Sequence, residues 1–268
     1  MWIIELLSAM PLWLLALVLN VFLMGVALAG LWMARRWLFP RLHLTYQDAY
    51  FGAALVQSVM LLYSLVAALT AVGVWQRYSD VSNVVSGEAT AIANLWRDLG
   101  GYPPPVNEAT RDILRGYTEQ IIRDAWPLQR QGLVPTEGVE WMDRLQAQLF
   151  AFEPETEFQK VLHAETLGSF NELVQLRRQR LDSINAGLPG VLWCVLLPGA
   201  IGCIALFLFF HLDNRRFQGV LLFCLAGYLA MVLFVIISLD RPFSGEMGIS
   251  PDSYQLIYDH HMKVDPGR

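Results

Sequence analysis

The residues able to do chemistry in this chain are few. His260 and His261 follow Asp259 and could begin a metal site. A structural site needs about four ligands, so a solvated tail is the simpler expectation. His163 and Glu165 lie two apart, which on a helix puts them on different faces, and a surface position is expected. Cys194, Cys203 and Cys224 fall in apolar stretches with neither CxxC nor Cys/His spacing, where cysteine acts as a small hydrophobe. No phosphate-binding loop, nucleophile elbow, HExxH or EF-hand spacing occurs. The sequence therefore predicts no enzyme, no metal and no cofactor.

Three charged residues stand out because they interrupt apolar stripes. Glu88 lies between Val85 and Ile92, and Arg177 and Arg180 lie between Leu173 and Ile184. At ~1.5 Å per helical residue, Glu88 lies ~20 Å beyond Trp75 and Arg177 ~18 Å before Pro189. On antiparallel neighbours these heights match. The spacing predicts an at least partly buried Glu88–Arg177 pair, with Arg180 as the alternative partner and two solvated charges as the plainer reading.

Within the apolar stretches, Ala53, Gln57, Ser64 and Ala71 share one helical stripe, with Thr70 beside it. Small, weakly polar residues can line a conduction path or let helices approach closely, and packing is the commoner use. Asp240-Arg241-Pro242 reads either as a helix stop at an interface or as a joint in which Asp240 or Arg241 holds two parts together.

The elements that position these residues follow from charge. Of 268 residues, 55% are hydrophobic and 16% charged, with mean hydropathy +0.40; soluble domains carry about 25% charge. No Asp, Glu, Lys or Arg occurs from Leu6 to Ala34, Ala49 to Gln76, Ser183 to Leu212 or Phe217 to Leu239. Each window exceeds the ~20 residues that span a bilayer. Such windows lack the ionisable groups that proton relays and charge-coupled transporters need. Ala27-Leu28-Ala29 resembles a signal-cleavage site, but the arginines follow the apolar run rather than precede it, so a retained anchor is expected. Net charge of -5 argues against nucleic acid.

Short-loop Lys and Arg set orientation. Arg35, Arg36 and Arg41 lie in one short link and Arg215 and Arg216 in the other. Both links read as cytoplasmic, which places the large loop and both termini on the outer side of the membrane.

Between the second and third spans the pattern turns amphipathic. Tyr78, Val81, Val85, Ile92, Leu95 and Leu99 form a stripe continuous with the second span, ended by Gly100-Gly101 and the prolines 103–105. A helix capped by Asn107 should bury Ile113, Leu114, Tyr117, Ile121 and Ile122 and stop before Pro127. Another, from Thr136, should carry Val139, Met142, Leu145 and Leu149. A long helix after Pro154 carries Phe158, Leu162, Phe170, Leu173, Leu181 and Ile184. No period-two alternation appears. The reading is an all-α membrane protein: four transmembrane helices with a helical extramembrane domain inserted between helices two and three. Its parts are 1–75, 76–186, 187–240 and an extramembrane tail, 241–268.

Several segments resemble a known family. They are Glu88-Ala89-Thr90 with Leu95-Trp96-Arg97; Tyr117 to Trp126; Arg177 to Leu181; Leu188-Pro189 with Trp193; and Leu239-Asp240-Arg241-Pro242-Phe243-Ser244-Gly245. Over about residues 10–250 the chain resembles the bacterial multi-pass proteins called bestrophin-like. The resemblance implies kinship with bestrophins, pentameric anion channels whose second helix lines the pore, and so a homo-oligomer in the bilayer. Their acidic calcium clasp is not seen here. Bestrophins keep their insert in the cytoplasm, whereas the short-link arginines place this one outside. A passive ion channel is the leading expectation; a non-conducting scaffold or envelope sensor that binds a partner is the alternative.

Overall fold

A computed structural model describes residues 10–38, 46–208 and 215–263. Every regular element among them is helical: α1 (Leu12–Met33), α2 (Tyr46–Leu99), α3 (Val106–Gln120), α4 (Trp126–Arg130), α5 (Gly138–Phe150), α6 (Glu157–Ser183), α7 (Gly190–Phe207), α8 (Arg215–Leu239) and α9 (Asp252–Ile257). Three π segments, Ala34–Leu38, Ile121–Ala125 and Tyr258–Met262, continue α1, α3 and α9. The chain divides into two compact units, residues 1–77 with 187–240 and residues 78–186 with 241–268.

The first unit contains helices long and apolar enough to cross a membrane. The four such spans of the chain are Leu12–Trp37, Ala54–Leu99, Gly190–Phe207 and Arg216–Leu239, with mean hydropathies of 2.0 to 2.9. In each, only 22% to 39% of the most apolar stretch is covered by the chain itself. Such surface is stable beside lipid or a neighbouring subunit, not beside water. α1 packs on α8 and α7 through Leu15, Leu19, Leu23 and Ala27, a four-residue ridge. α2 turns Val56, Tyr63, Ala67, Thr70 and Val74 inward. The Tyr63 hydroxyl donates to the Leu196 carbonyl of α7 at 3.1 Å. Gly199 permits that approach, since a Cβ there would lie 2.5 Å from the Tyr63 ring.

The second unit is built on amphipathic faces. Val81, Val85, Ile92, Leu95 and Leu99 of α2 meet Leu114 and Tyr117 of α3, Leu145 and Leu149 of α5 and Phe170 and Leu173 of α6 in one core. Burying each such aliphatic side chain stabilises the fold by about 1.5–3 kcal/mol. α6 begins with a capping box: Thr156 accepts from the Gln159 N–H, and the Gln159 side chain accepts from the Thr156 N–H, each at 3.1 Å.

Several details depart from the sequence expectations. Asn107 does not cap α3, which starts one residue earlier without a side-chain cap. The helical path does not stop before Pro127: the π segment Ile121–Ala125 shifts the hydrogen-bond ladder just ahead of it, and Pro127 falls in the first turn of α4. α5 starts at Gly138 rather than Thr136, and Val139 and Phe158 face outward, 47% and 71% exposed. Residues 241–263 are no free tail, for Phe243, Tyr254 and Met262 lie in the second core.

Two glycines give opposite signs for the same substitution. A Cβ at Gly116 would meet Trp141 at 2.4 Å, whereas one at Gly168, within α6, meets nothing within 4 Å. Gly116→Ala should destabilise by about 1–3 kcal/mol through overpacking. Gly168→Ala should stabilise by roughly 0.5–1 kcal/mol through helix propensity. Thermal unfolding of the detergent-solubilised variants checks both.

Candidate functional site

Glu88 is placed by the α2 stripe at the centre of the second core, with none of its surface exposed. Its Oε2 accepts from Arg180 Nε at 2.6 Å and from the Tyr254 hydroxyl at 3.0 Å. Its Oε1 accepts from Arg180 Nη2 at 3.1 Å and from the Tyr117 hydroxyl at 2.9 Å. The carboxylate thus receives a bidentate guanidinium and two phenols, from α6, α3 and α9. Charge-assisted bonds of this kind are about twice as strong as neutral ones, and they offset the desolvation of a fully buried pair.

The electrostatics are mutual. Burial alone would lower the Arg180 pKa, but Glu88, with Tyr254 and Tyr117, outweighs it and holds the guanidinium well above its ordinary value. Burial and then the Glu88 charge push Tyr117 and Tyr254 far above the usual phenol value of 10.0. Both tyrosines therefore stay protonated and act as donors.

The partner of Glu88 is Arg180, the alternative, and not Arg177. Arg177 lies instead beside Gly138, its Nη2 3.1 Å from where a Cβ would stand. The spacing of α6 could not separate the two arginines, and Tyr117 and Tyr254 were not anticipated as ligands of the carboxylate. Tyr254 carried no periodic signal, being in a segment read as tail.

The other singled-out residues are dispersed. Gln57 and Ser64 are exposed and Ala71 half-buried on α2, while Thr70 is buried; the side chain of Ala53 lies outside the described residues. Ser64 donates to the Met60 carbonyl of its own helix at 2.8 Å. Asp240, 3% exposed, accepts from the Leu188 N–H at 2.6 Å, tying the end of α8 to the residue before Pro189 at the start of α7. Arg241 is half-buried. Past it, the Pro242 carbonyl accepts from the Ile249 N–H at 2.8 Å, and Phe243 meets Trp126 edge-on, centroids 5.6 Å apart. Gly245 has φ +76°, the left-handed conformation that favours glycine. His163 is not a surface residue: it is half-buried, its Nδ1 2.7 Å from the Tyr102 hydroxyl, with Phe152 alongside. His260 and His261 are exposed, and no group of metal-ligating side chains forms among the described residues.

Four apolar spans, joined in sequence by an amphipathic helical unit around a buried ion pair, define a multi-pass α-helical membrane protein. The chain belongs to the bestrophin-like family, whose domain matches residues 21–254. No curated protein matches it by sequence. In fold it is similar to a variant of a bacterial bestrophin homologue from Klebsiella pneumoniae, with TM-score 0.71 and 10% identity over 92% of this chain and 99% of that one. A second structure of the Klebsiella pneumoniae homologue gives TM-score 0.68 and 13% identity over 92% and 97% of the two chains.

Removing one partner of the buried pair strands the other. Glu88→Ala should cost about 3–5 kcal/mol, whereas Arg177→Gln should stay within about 0.5 kcal/mol; denaturant titration in detergent separates them. Above the free-phenol pKa the unfolded tyrosines lose protons that the native ones keep, so stability should fall as pH rises through about 10 and beyond. Tyr117→Phe should flatten that fall.

Proposed function

We propose that the protein is a homo-oligomeric passive ion channel, of the anion-conducting type, in the bacterial cytoplasmic membrane. The observation that carries this reading is the bestrophin-like domain over residues 21–254, on a fold with four spans whose outer faces the single chain leaves largely uncovered. On α2 the inward face, Val56, Tyr63, Ala67 and Val74, packs on the chain itself, while Gln57 and Ser64 remain open. We assign that open stripe, with Ala53 and Ala71, to the oligomer axis, where weakly polar residues can line a path for ions. The basic short links face the cytoplasm in this reading, so residues 78–186 and both termini lie outside.

A second reading, a scaffold whose outer unit binds a partner, is favoured by the exposed apolar side chains Leu133, Val134, Phe158 and Val161 of that unit.

Planar-bilayer recording of the purified protein tests conduction. Discrete currents are expected, altered in Gln57→Leu and Ser64→Leu at unchanged folded yield; silence across ions and voltages rejects the channel. For orientation, a C-terminal alkaline phosphatase fusion should be active and a C-terminal green fluorescent fusion dark.

A further inference from the structure

At the end of α8 opposite Asp240, that helix is tied to α1 by a charged group. Gln218 has none of its surface exposed, and its Oε1 accepts from Arg35 Nη2, in the π segment that continues α1. A neutral amide answers only part of a guanidinium. Arg35 Nε is covered and has no hydrogen-bond partner, and among the described residues no carboxylate pairs with Arg35 or with its neighbour Arg36. Arg36 is exposed. The two short links, 34–45 and 208–216, hold Arg35, Arg36, Arg41, Arg215 and Arg216 against a single acid, Asp213. A half-buried charge without a counter-charge is costly, so this end of the helix pair is completed by an anion from outside the chain.

Depth decides which anion is at hand. At ~1.5 Å per residue, Arg35 lies ~35 Å along the helix from Leu12, and Gln218 ~32 Å from Leu239. The hydrocarbon core is ~30 Å thick, and the headgroup layers bring the bilayer to ~40–45 Å. With Leu12 and Leu239 at one boundary, the Arg35–Gln218 contact falls in the opposite headgroup layer. Trp32 and Trp37, 68% and 57% exposed, flank the two arginines, and tryptophan is the side chain enriched at that boundary. The anions concentrated there are lipid phosphates.

We propose that Arg35 and Arg36 form a site for the phosphate of an anionic phospholipid, seated across the α1–α8 contact. The guanidinium fork matches two phosphate oxygens, and Gln218 holds the Arg35 fork in place. A zwitterionic headgroup brings its own cation against two arginines that no acid offsets, so the site selects a headgroup with net negative charge. It lies wholly in the first unit and depends neither on conduction nor on the leaflet it faces.

The test uses the full chain, stripped of lipid in neutral detergent. Short-chain phosphatidylglycerol and phosphatidylcholine are offered at equal concentration, and bound lipid is counted by native mass spectrometry. The thermal unfolding midpoint is followed in parallel at constant ionic strength, with inorganic phosphate as a third arm. Phosphatidylglycerol should dominate the bound lipid and raise the midpoint saturably. An arginine at the membrane surface contributes about fivefold in affinity. Arg36→Gln, at an exposed position, should therefore weaken phosphatidylglycerol binding about fivefold, and Arg35→Gln by at least as much, whereas Arg35→Lys keeps the charge and part of the affinity. Arg177→Gln, in the other unit, should bind as wild type does. If Arg35→Gln does not fold, Arg36→Gln decides alone. Equal binding of the two lipids, a midpoint shift reproduced by inorganic phosphate, or unchanged phosphatidylglycerol affinity in the Arg36 variant overturns the proposal.

Discussion

A carboxylate with no water around it must have its charge answered by the protein, and Glu88 imposes that demand on the whole second unit. Its two oxygens receive Arg180, Tyr117 and Tyr254, so α2, α3, α6 and the segment after Asp240 must all close on one point. Apolar packing alone tolerates small slides of one helix along another. A fork of hydrogen bonds at 2.6 and 3.1 Å does not. The pair therefore fixes register more than it adds net stability.

The same demand explains why residues far apart in sequence form one core. Residue 254 follows two membrane spans, yet its hydroxyl reaches residue 88, and Trp126 donates to the Ile249 carbonyl at 3.2 Å. The loop from Pro242 to Pro251 makes this possible. It turns through Gly245, and at Gly248 a Cβ would stand 2.7 Å from the Phe243 carbonyl. The specific run from Asp240 to Gly245 thus has physical content: a buried acceptor at the end of α8, an aromatic anchor on Trp126 and a left-handed turn.

Where the sequence was legible, a strong physical signal lay in a short window. Lipid excludes charge, so the four spans could be read from composition alone. The α2 stripe from Val81 to Leu99 was visible because spacings of three and four recur without a breaker. Glu88 was visible because it interrupts that stripe. The choice between Arg177 and Arg180 was not, since both lie on the seam of α6 within one turn of the same height. Tyr254, from beyond two spans, completes that choice, and local periodicity carries no trace of it. Thr156-Glu157-Phe158-Gln159 is a different case: the helix was placed only after Pro154, and the capping pattern that sets its start at Glu157 was not used. The limits of α3 failed for a third reason: proline was read as a stop, whereas the chain absorbs it by widening one turn.

That widened turn, Ile121–Ala125, has a consequence for comparing this chain with its relatives. A π segment holds one residue more than the α-helical turn it replaces, and one residue is about 100° of rotation around the axis. Trp126 and Gln129, both buried here, owe their inward bearing to that offset. A homologue with an unbroken α-helix through the segment would need a single-residue gap to line up with it. At 10% to 13% identity, an ungapped pairing downstream of Ile121 would equate inward positions with outward ones. Any transfer of residue roles along that stretch should therefore be anchored on Trp126 rather than counted forward from Tyr117.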